Sequence, residues 1–197
     1  MRSLDIQFIE KILNENQLKL SDFKTFIETG TYLGQTVFSN SVYFDNLYTV
    51  EINKNAYERC KKEAVKRNIK NVQFFLGDSA LMLKSMIKTA GEKSKIYFLD
   101  GHVTDNNSGF TGKGILDCPL LEELKQISTL DNSNSVIIID DTRLLGQNRS
   151  KKTANADWSQ INLNSILDSI NKDRIKKWYF TEGAKGTKND RLIILLN

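Results

Sequence analysis

Glu28, Glu51, Asp78, Asp100, Asp140 and Asp141 each stand at the carboxyl end of a short apolar run. The runs are Phe26-Ile27, Leu47-Tyr48-Thr49-Val50, Val72-Gln73-Phe74-Phe75-Leu76, Ile96-Tyr97-Phe98-Leu99 and Val136-Ile137-Ile138-Ile139. Carboxylates accept hydrogen bonds from hydroxyl and ammonium groups and bind hard cations. In an open parallel α/β sheet, ligands bind outside the carboxyl ends of the strands, where strand order reverses. Acid-tipped strands therefore describe one site on one edge of one sheet.

The elements that must position these acids read as alternating strands and helices. Leu4, Phe8, Ile9, Ile12 and Leu13 have helical spacing and predict a leading helix within residues 1–20. Strands follow at 24–28, 47–51, 72–76, 95–99 and 135–139, with helices from Gly34 and at 54–68, 79–90, 119–130 and 158–172. Pro119 suits the first turn of its helix. Regular βα alternation predicts a doubly wound parallel sheet with helices on both faces. The last two runs, 175–180 and 191–196, differ. The segment between them is too short for a helical crossover, so they should pair antiparallel. Two loops are long and rich in glycine or basic residues, 101–117 and 142–157, and both follow acid-tipped strands. Such loops at this edge are commonly lids or substrate loops.

A length of 197 residues argues one domain, with 24–197 as its core. The formal charge of +4 is too small and too dispersed for a nucleic-acid signature. Its densest cluster, Arg59 to Lys70, alternates with Glu58, Glu63, Ala64 and Val65, like the solvated face of a helix. No apolar run is long enough to span a membrane, and the N-terminus lacks a signal-peptide core, so a cytoplasmic protein is expected. Cys60 and Cys118 are too few for a disulfide framework or a thiolate metal site.

Glu28-Thr29-Gly30-Thr31-Tyr32-Leu33-Gly34 joins the first strand to a helix, and Glu51 lies 21 residues beyond Gly30. A glycine turn followed by a ribose-binding acid also describes a dinucleotide fold. Glu28, however, would set a negative charge against a pyrophosphate, which needs uncompensated N–H groups. A ligand that joins an adenosyl group to an ammonium, such as S-adenosylmethionine (SAM), gains from that same charge. Gly77-Asp78-Ser79 adds a carboxylate and a hydroxyl for the adenine amine, although Asp78 or Ser79 also suits a helix cap. This ordered set, closed by an antiparallel strand, resembles the class I SAM-dependent methyltransferases. The resemblance implies a Rossmann-like seven-stranded sheet of order 3-2-1-4-5-7-6. It also implies a cofactor site on Glu28, Thr29, Gly30, Thr31, Tyr32, Gly34, Thr36, Glu51, Ile52, Gly77, Asp78, Ser79 and Asp100.

Leu99-Asp100-Gly101-His102 and Ile139-Asp140-Asp141 end strands that are neighbours in that order, about 4.8 Å apart. Three converging carboxylates repel one another unless a cation lies between them, and hard oxygen ligands suit Mg²⁺ or Mn²⁺ better than zinc. His102 is the only histidine in the chain, and its ordinary pKa suits a general base. The constellation, with Cys118-Pro119-Leu120-Leu121-Glu122-Glu123-Leu124 and Ile138-Ile139-Asp140-Asp141-Thr142-Arg143, resembles the macrocin O-methyltransferase-like group of sugar O-methyltransferases. That resemblance implies metal binding on Asp100, Asp140 and Asp141, with His102 as base beside Asp100.

The expected activity is metal-assisted O-methylation of a small molecule with neighbouring oxygens, a sugar or glycoside ahead of a catechol. Basic residues in loop 142–157 hint at an acidic or phosphorylated acceptor. Tyr32, Phe110 and Trp158 are candidates to line the acceptor pocket, although Trp158 also reads as packing at the start of a helix. The rival readings are a non-catalytic SAM-binding partner of a glycan-modifying assembly, a nicotinamide-dependent oxidoreductase and an RNA methyltransferase. Neither nucleic acid nor membrane is expected as a partner. A bare fold with open loops gains a wall by pairing with a second copy, so a homodimer is an expectation too.

Overall fold

The runs at 25–29, 95–99, 136–139 and 191–196 are buried at every position, as central strands covered on both faces must be, while those at 72–76 and 175–181 are partly exposed. In the computed structural model, which describes residues 4–104, 109–183 and 186–197, they form one seven-stranded sheet. The strands are β1 (Thr25–Thr29), β2 (Asn46–Glu51), β3 (Val72–Leu76), β4 (Lys95–Leu99), β5 (Val136–Ile139), β6 (Ile175–Thr181) and β7 (Arg191–Leu196). Their order is β3-β2-β1-β4-β5-β7-β6, with β1 to β5 parallel and β7 antiparallel to both of its neighbours. This is the expected order and the expected terminal pair.

Alternate side chains of each strand feed two separate cores. On one face Ile27, Val50, Tyr97, Leu99, Ile137, Ile139 and Ile194 pack with α4 (Ser79–Ala90), α5 (Leu120–Leu130) and α6 (Leu163–Asp168). On the other, Phe26, Leu47, Ile96, Phe98, Ile138 and Ile193 pack with α1 (Ile6–Glu15), α2 (Gln35–Asn40) and α3 (Lys54–Lys66). Asp5 caps α1, its Oδ1 accepting from the Phe8 N–H at 2.9 Å. Lys61, Lys62, Val65, Lys66 and Arg67 of the basic cluster are exposed, so that cluster is a solvated face. Cys60 and Cys118 are buried free thiols. No helix among the described residues is long and apolar enough to cross a membrane.

One helix is much shorter than its apolar pattern suggests. Residues 158–172 were expected as a helix, but only Leu163–Asp168 is one. Asn162 starts it by accepting from the Ser165 N–H, in a reciprocal capping box. Ahead of it Trp158 pairs with the preceding loop: its N–H donates to Gln147 O at 3.0 Å, and Gly146 N–H donates to Trp158 O at 3.2 Å. A cap and a loop pairing thus prevail over helical periodicity.

The sheet end remote from the acid-tipped edge is held by a buried ion pair. Lys95 Nζ and Asp131 Oδ1 are 2.9 Å apart with both side chains fully buried. Asp131 also accepts from Tyr97 Oη at 2.9 Å, Ser135 Oγ at 2.7 Å and Ser133 Oγ at 2.6 Å. Arg174 bonds the carbonyls of Asp131 and Ser133. Burial alone would raise the Asp131 pKa, but the hydroxyls and Lys95 outweigh it and leave the pKa below the usual carboxylate value. Its stabilisation is therefore present above the ordinary carboxylate pKa and is lost as pH falls through the lower folded value. Asp131→Ala would leave Lys95 charged and unpaired, and should cost about 3–5 kcal/mol in denaturant unfolding at pH 7.

Candidate active site

The parallel register brings the ends of β1, β4 and β5 level, pairing Thr29 with Leu99 and Leu99 with Ile139. The pairing runs one residue past each strand end: Asp100 N–H donates to Thr29 O and Asp140 N–H to Leu99 O, both at 3.2 Å. Gly30 crosses above Asp100 with φ +85°, and a Cβ there would lie 2.4 Å from Asp100 O. Glycine is thus required on both conformational and steric grounds. Above this edge is a cavity of about 520 Å³, within the range of small-molecule sites.

The cavity wall includes Gly30, Tyr32, Glu51, Ile52, Gly77, Asp78, Ser79, Asp100, His102, Asp140 and Asp141. Glu28, Thr29, Thr31, Gly34 and Thr36, also expected to touch the cofactor, are not on that wall. The reason is register. β1 ends at Thr29, so Glu28 lies inside the strand opposite Thr49 and its side chain is 1% exposed. Thr49 Oγ1 donates to Glu28 Oε2 at 2.7 Å, and Thr31 Oγ1 is 2.6 Å from Thr49 Oγ1. Burial pushes the Glu28 pKa up to about 8, against the hydroxyls of Thr49 and Thr36. These residues frame the turn from below.

At one end of the cavity, Glu51 accepts from the backbone N–H groups of Tyr32 at 2.7 Å and Asn53 at 2.8 Å. Burial raises its pKa, and these N–H groups hold the rise back. Asp78 caps α4, its Oδ1 accepting from Ala80 N–H at 2.9 Å. Its Oδ2 accepts from Ile115 N–H at 2.8 Å, so the acid holds both a helix and the loop that closes the cavity. Asn53 Nδ2 donates to Thr111 O at 2.9 Å and Gly109 O at 3.3 Å, and Arg59 stacks on Phe110, 5.2 Å from the ring centroid. Phe110, Thr111, Gly112, Gly114 and Leu116 thus line the cavity; residues 105–108 of loop 101–117 lie outside the described residues.

At the other end, His102 lies between two carboxylates. Nε2 is 3.2 Å from Asp141 Oδ2 and Nδ1 is 3.5 Å from Asp100 Oδ1. Burial opposes its protonation, but Asp141, Asp100 and Asp140 outweigh burial and raise its pKa. Burial also drives the Asp100 pKa well up. For Asp141 burial is outweighed by His102 and Arg143, which hold it at about 2. Asp141 adopts a left-handed backbone, φ 58°, which Asp tolerates better than most residues.

Two cations face these acids, and one of them, Arg191, comes from a place that sequence reasoning did not connect with the site. Arg191, which opens β7 and is 3% exposed, puts Nε 3.0 Å from Asp140 Oδ1. Arg143 pairs with Asp141 and, at 2.6 Å, with buried Asp190. The charged dipeptide Asp190-Arg191 heading an apolar strand was the available signal. The three carboxylates expected to share a metal are consequently divided. Ligand atoms of Asp100, His102 and Asp141 lie within 4.8 Å of one another, and Asp140 instead groups with Asp141 and Asp190.

The basic loop residues are largely committed elsewhere. Arg149 Nη2 lies 2.8 Å from Asp117 Oδ2, which also accepts from Asp157 N–H at 3.0 Å. Lys113 Nζ lies 2.8 Å from Asp117 Oδ1. Asp117 therefore ties loop 101–117 to loop 142–157. Lys151 and Lys152 are exposed and off the cavity wall. Tyr32 and Phe110 do line the cavity, whereas Trp158 is 2% exposed behind His102, edge to face with its ring at 5.0 Å.

No protein-family model matches this chain, and no curated protein does either. Solved structures match in fold. An O-methyltransferase from Bacillus cereus in complex with S-adenosylhomocysteine (SAH) aligns over 99% of this chain and 83% of its own, with TM-score 0.61 and 17% identity. The O-methyltransferase TomG from Streptomyces achromogenes, involved in tomaymycin synthesis and bound to SAM, aligns over 96% and 79%, with TM-score 0.60 and 14% identity. An rRNA methylase from Streptococcus thermophilus aligns over 100% and 98%, with TM-score 0.52 and 13% identity. The chain thus has the Rossmann-like fold of SAM-dependent methyltransferases. That fold serves small-molecule and RNA acceptors alike, so the choice of acceptor lies in the residues.

Glu28 provides a pH test of the site's frame. Between its ordinary pKa and about 8 the folded state holds a proton that the unfolded state releases, so stability falls as pH rises through that window. Glu28→Gln removes the term. Its stability relative to wild type should improve by on the order of a few kcal/mol from pH 5 to pH 8 in urea titrations. An equal difference at both pH values would mean that Glu28 is charged throughout.

Proposed function

We propose that this protein is a SAM-dependent, divalent-metal-assisted O-methyltransferase acting on a hydroxyl of a sugar, glycoside or similar small molecule. The observation that carries the reading is His102 between Asp100 and Asp141, in the same cavity as Glu51 and Asp78. Glu51, oriented by two backbone N–H groups, keeps lone pairs for ribose hydroxyls. Asp78 and Ser79 would face the adenine and Asp100 the amino-acid end. Glu28, Thr29, Thr31, Gly34 and Thr36, off the cavity wall, would shape the turn that carries the ligand.

The donor set fits a hard cation. Asp100, His102 and Asp141 converge, and carboxylates of this kind bind Mg²⁺ or Mn²⁺. In this reading Asp100 and Asp141 hold the metal, with Asp140 beside them. A bound cation would make a coordinated hydroxyl more acidic. His102 would accept the acceptor's proton at the ring nitrogen that does not donate to Asp141, while Asp141, accepting from Nε2–H, would orient the ring and stabilise the imidazolium formed. Arg143 and Arg191 balance the remaining acids. Because Arg143 and Arg149 are already paired, the walls favour an uncharged acceptor over the phosphorylated one suggested by loop composition.

Calorimetric titration with SAM, SAH and NAD⁺, with and without Mg²⁺, tests the cofactor. Micromolar binding of both adenosyl compounds and none of NAD⁺ is expected; failure of both to bind would end the methyltransferase reading. His102→Ala should lower turnover on a responsive sugar or catechol by about 10²–10⁴-fold while SAH affinity stays nearly unchanged. Loss of Mg²⁺ affinity in that variant would make His102 a ligand instead of the base.

A further inference from the structure

Directly beneath the Asp100-Gly101-His102 turn is a set of buried polar atoms with no assigned role. Glu123, in the first turn of α5, is 1% exposed; burial pushes its pKa up to about 7 against the nearby hydroxyls of Ser79 and Thr29, and its Oε1 makes no well-formed hydrogen bond among the described residues. The same holds for Nε1 of Trp158. An unpaired buried polar atom costs roughly 1–3 kcal/mol, and with Thr29 Oγ1 three such atoms lie about this turn, so they require an explanation. Glu123 and Trp158 line a small pocket of about 10 Å³, together with Gly101, His102 and Asp140. That is about the room one water needs, and a buried water must find polar partners.

The surroundings tie this pocket to the geometry of the site. A Cβ on Gly101 would lie 2.9 Å from Glu123 Oε1, 3.0 Å from Thr29 Oγ1 and 3.1 Å from Ser79 Oγ. The turn therefore rests on the Glu123 carboxyl with no space to spare. Trp158 supports the adjacent ring, its indole edge to face with His102 at 65°.

We infer that Glu123 is a positioning residue for His102, acting with Trp158 through one buried water that accepts from Trp158 Nε1–H and donates to Glu123 Oε1. The water fixes the indole, the indole fixes the imidazole face, and the carboxyl sets the height of the Gly101 turn. Glu123 does not reach the acceptor, since Gly101 and His102 intervene. The effect on turnover rests on His102 acting as the base; the placement does not.

The chain has a single histidine, so imidazole NMR reports on His102 without assignment. Two-dimensional ¹H–¹⁵N spectra of wild type, Glu123→Ala and Glu123→Gln should show shifted or broadened ring signals in the alanine variant. Glutamine, which keeps an acceptor oxygen, should restore them. With a methyl acceptor in hand, Glu123→Ala should lose about tenfold or more in kcat with KM for SAM unchanged, and Glu123→Gln should recover most of it. A folded Glu123→Ala protein with wild-type His102 signals would overturn the inference. A high-resolution crystal structure of the unmodified chain decides it independently. One water bonded to both Trp158 Nε1 and Glu123 Oε1 is expected, and a dry pocket refutes it even if the alanine variant does not fold.

Discussion

Three parallel strands that stop at one level determine nearly everything else in this molecule. Because Thr29, Leu99 and Ile139 pair in register, the next residues, Gly30, Asp100 and Asp140, form a row along the sheet edge. The row is tight enough that Gly30 has no space for a side chain over Asp100. Two carboxylates are thereby fixed to the most rigid part of the fold, and Asp141 follows one residue on. A site needing sub-ångström placement is better built on strand ends than on loops.

Fixing acids together creates a repulsion that the rest of the chain offsets. His102 lies between Asp100 and Asp141, Arg191 returns from the last strand to Asp140, and Arg143 bridges Asp141 and Asp190. The antiparallel β7 thus has an electrostatic role besides closing the sheet: it delivers a buried guanidinium to the reaction end. At the opposite end, Lys95 and Asp131 face no cavity and are satisfied by hydroxyls and Arg174. At one end of the sheet the buried ion pair is closed off by hydroxyls and Arg174, while at the other the carboxylates face a ligand-sized space.

The strands and their order were legible because burial on both faces leaves long apolar runs, and the short final connection has few geometries open to it. The wall residues Glu51, Asp78, Asp100 and His102 were legible because strand ends carry ligands in this architecture. Glu28 was read as the last residue of its strand, whereas β1 runs on to Thr29 and keeps the Glu28 side chain buried one position inside. Helix 158–172 was overestimated because its periodicity says nothing of the Asn162 cap or of Trp158 bonding to Gln147. Arg191 was invisible as a site residue, because it reaches Asp140 through a fold contact from the last strand.

The Asp117 hub has a consequence for remodelling this scaffold. Its carboxylate holds Lys113 on the loop that follows β4 and Arg149 with Asp157 on the loop that follows β5. The two loops are therefore a single exchangeable part. A transplant that brings in one loop from a relative would leave either a buried carboxylate without its cations or an arginine without its anchor. Altered acceptor preference would have to be sought by moving both loops as a cassette.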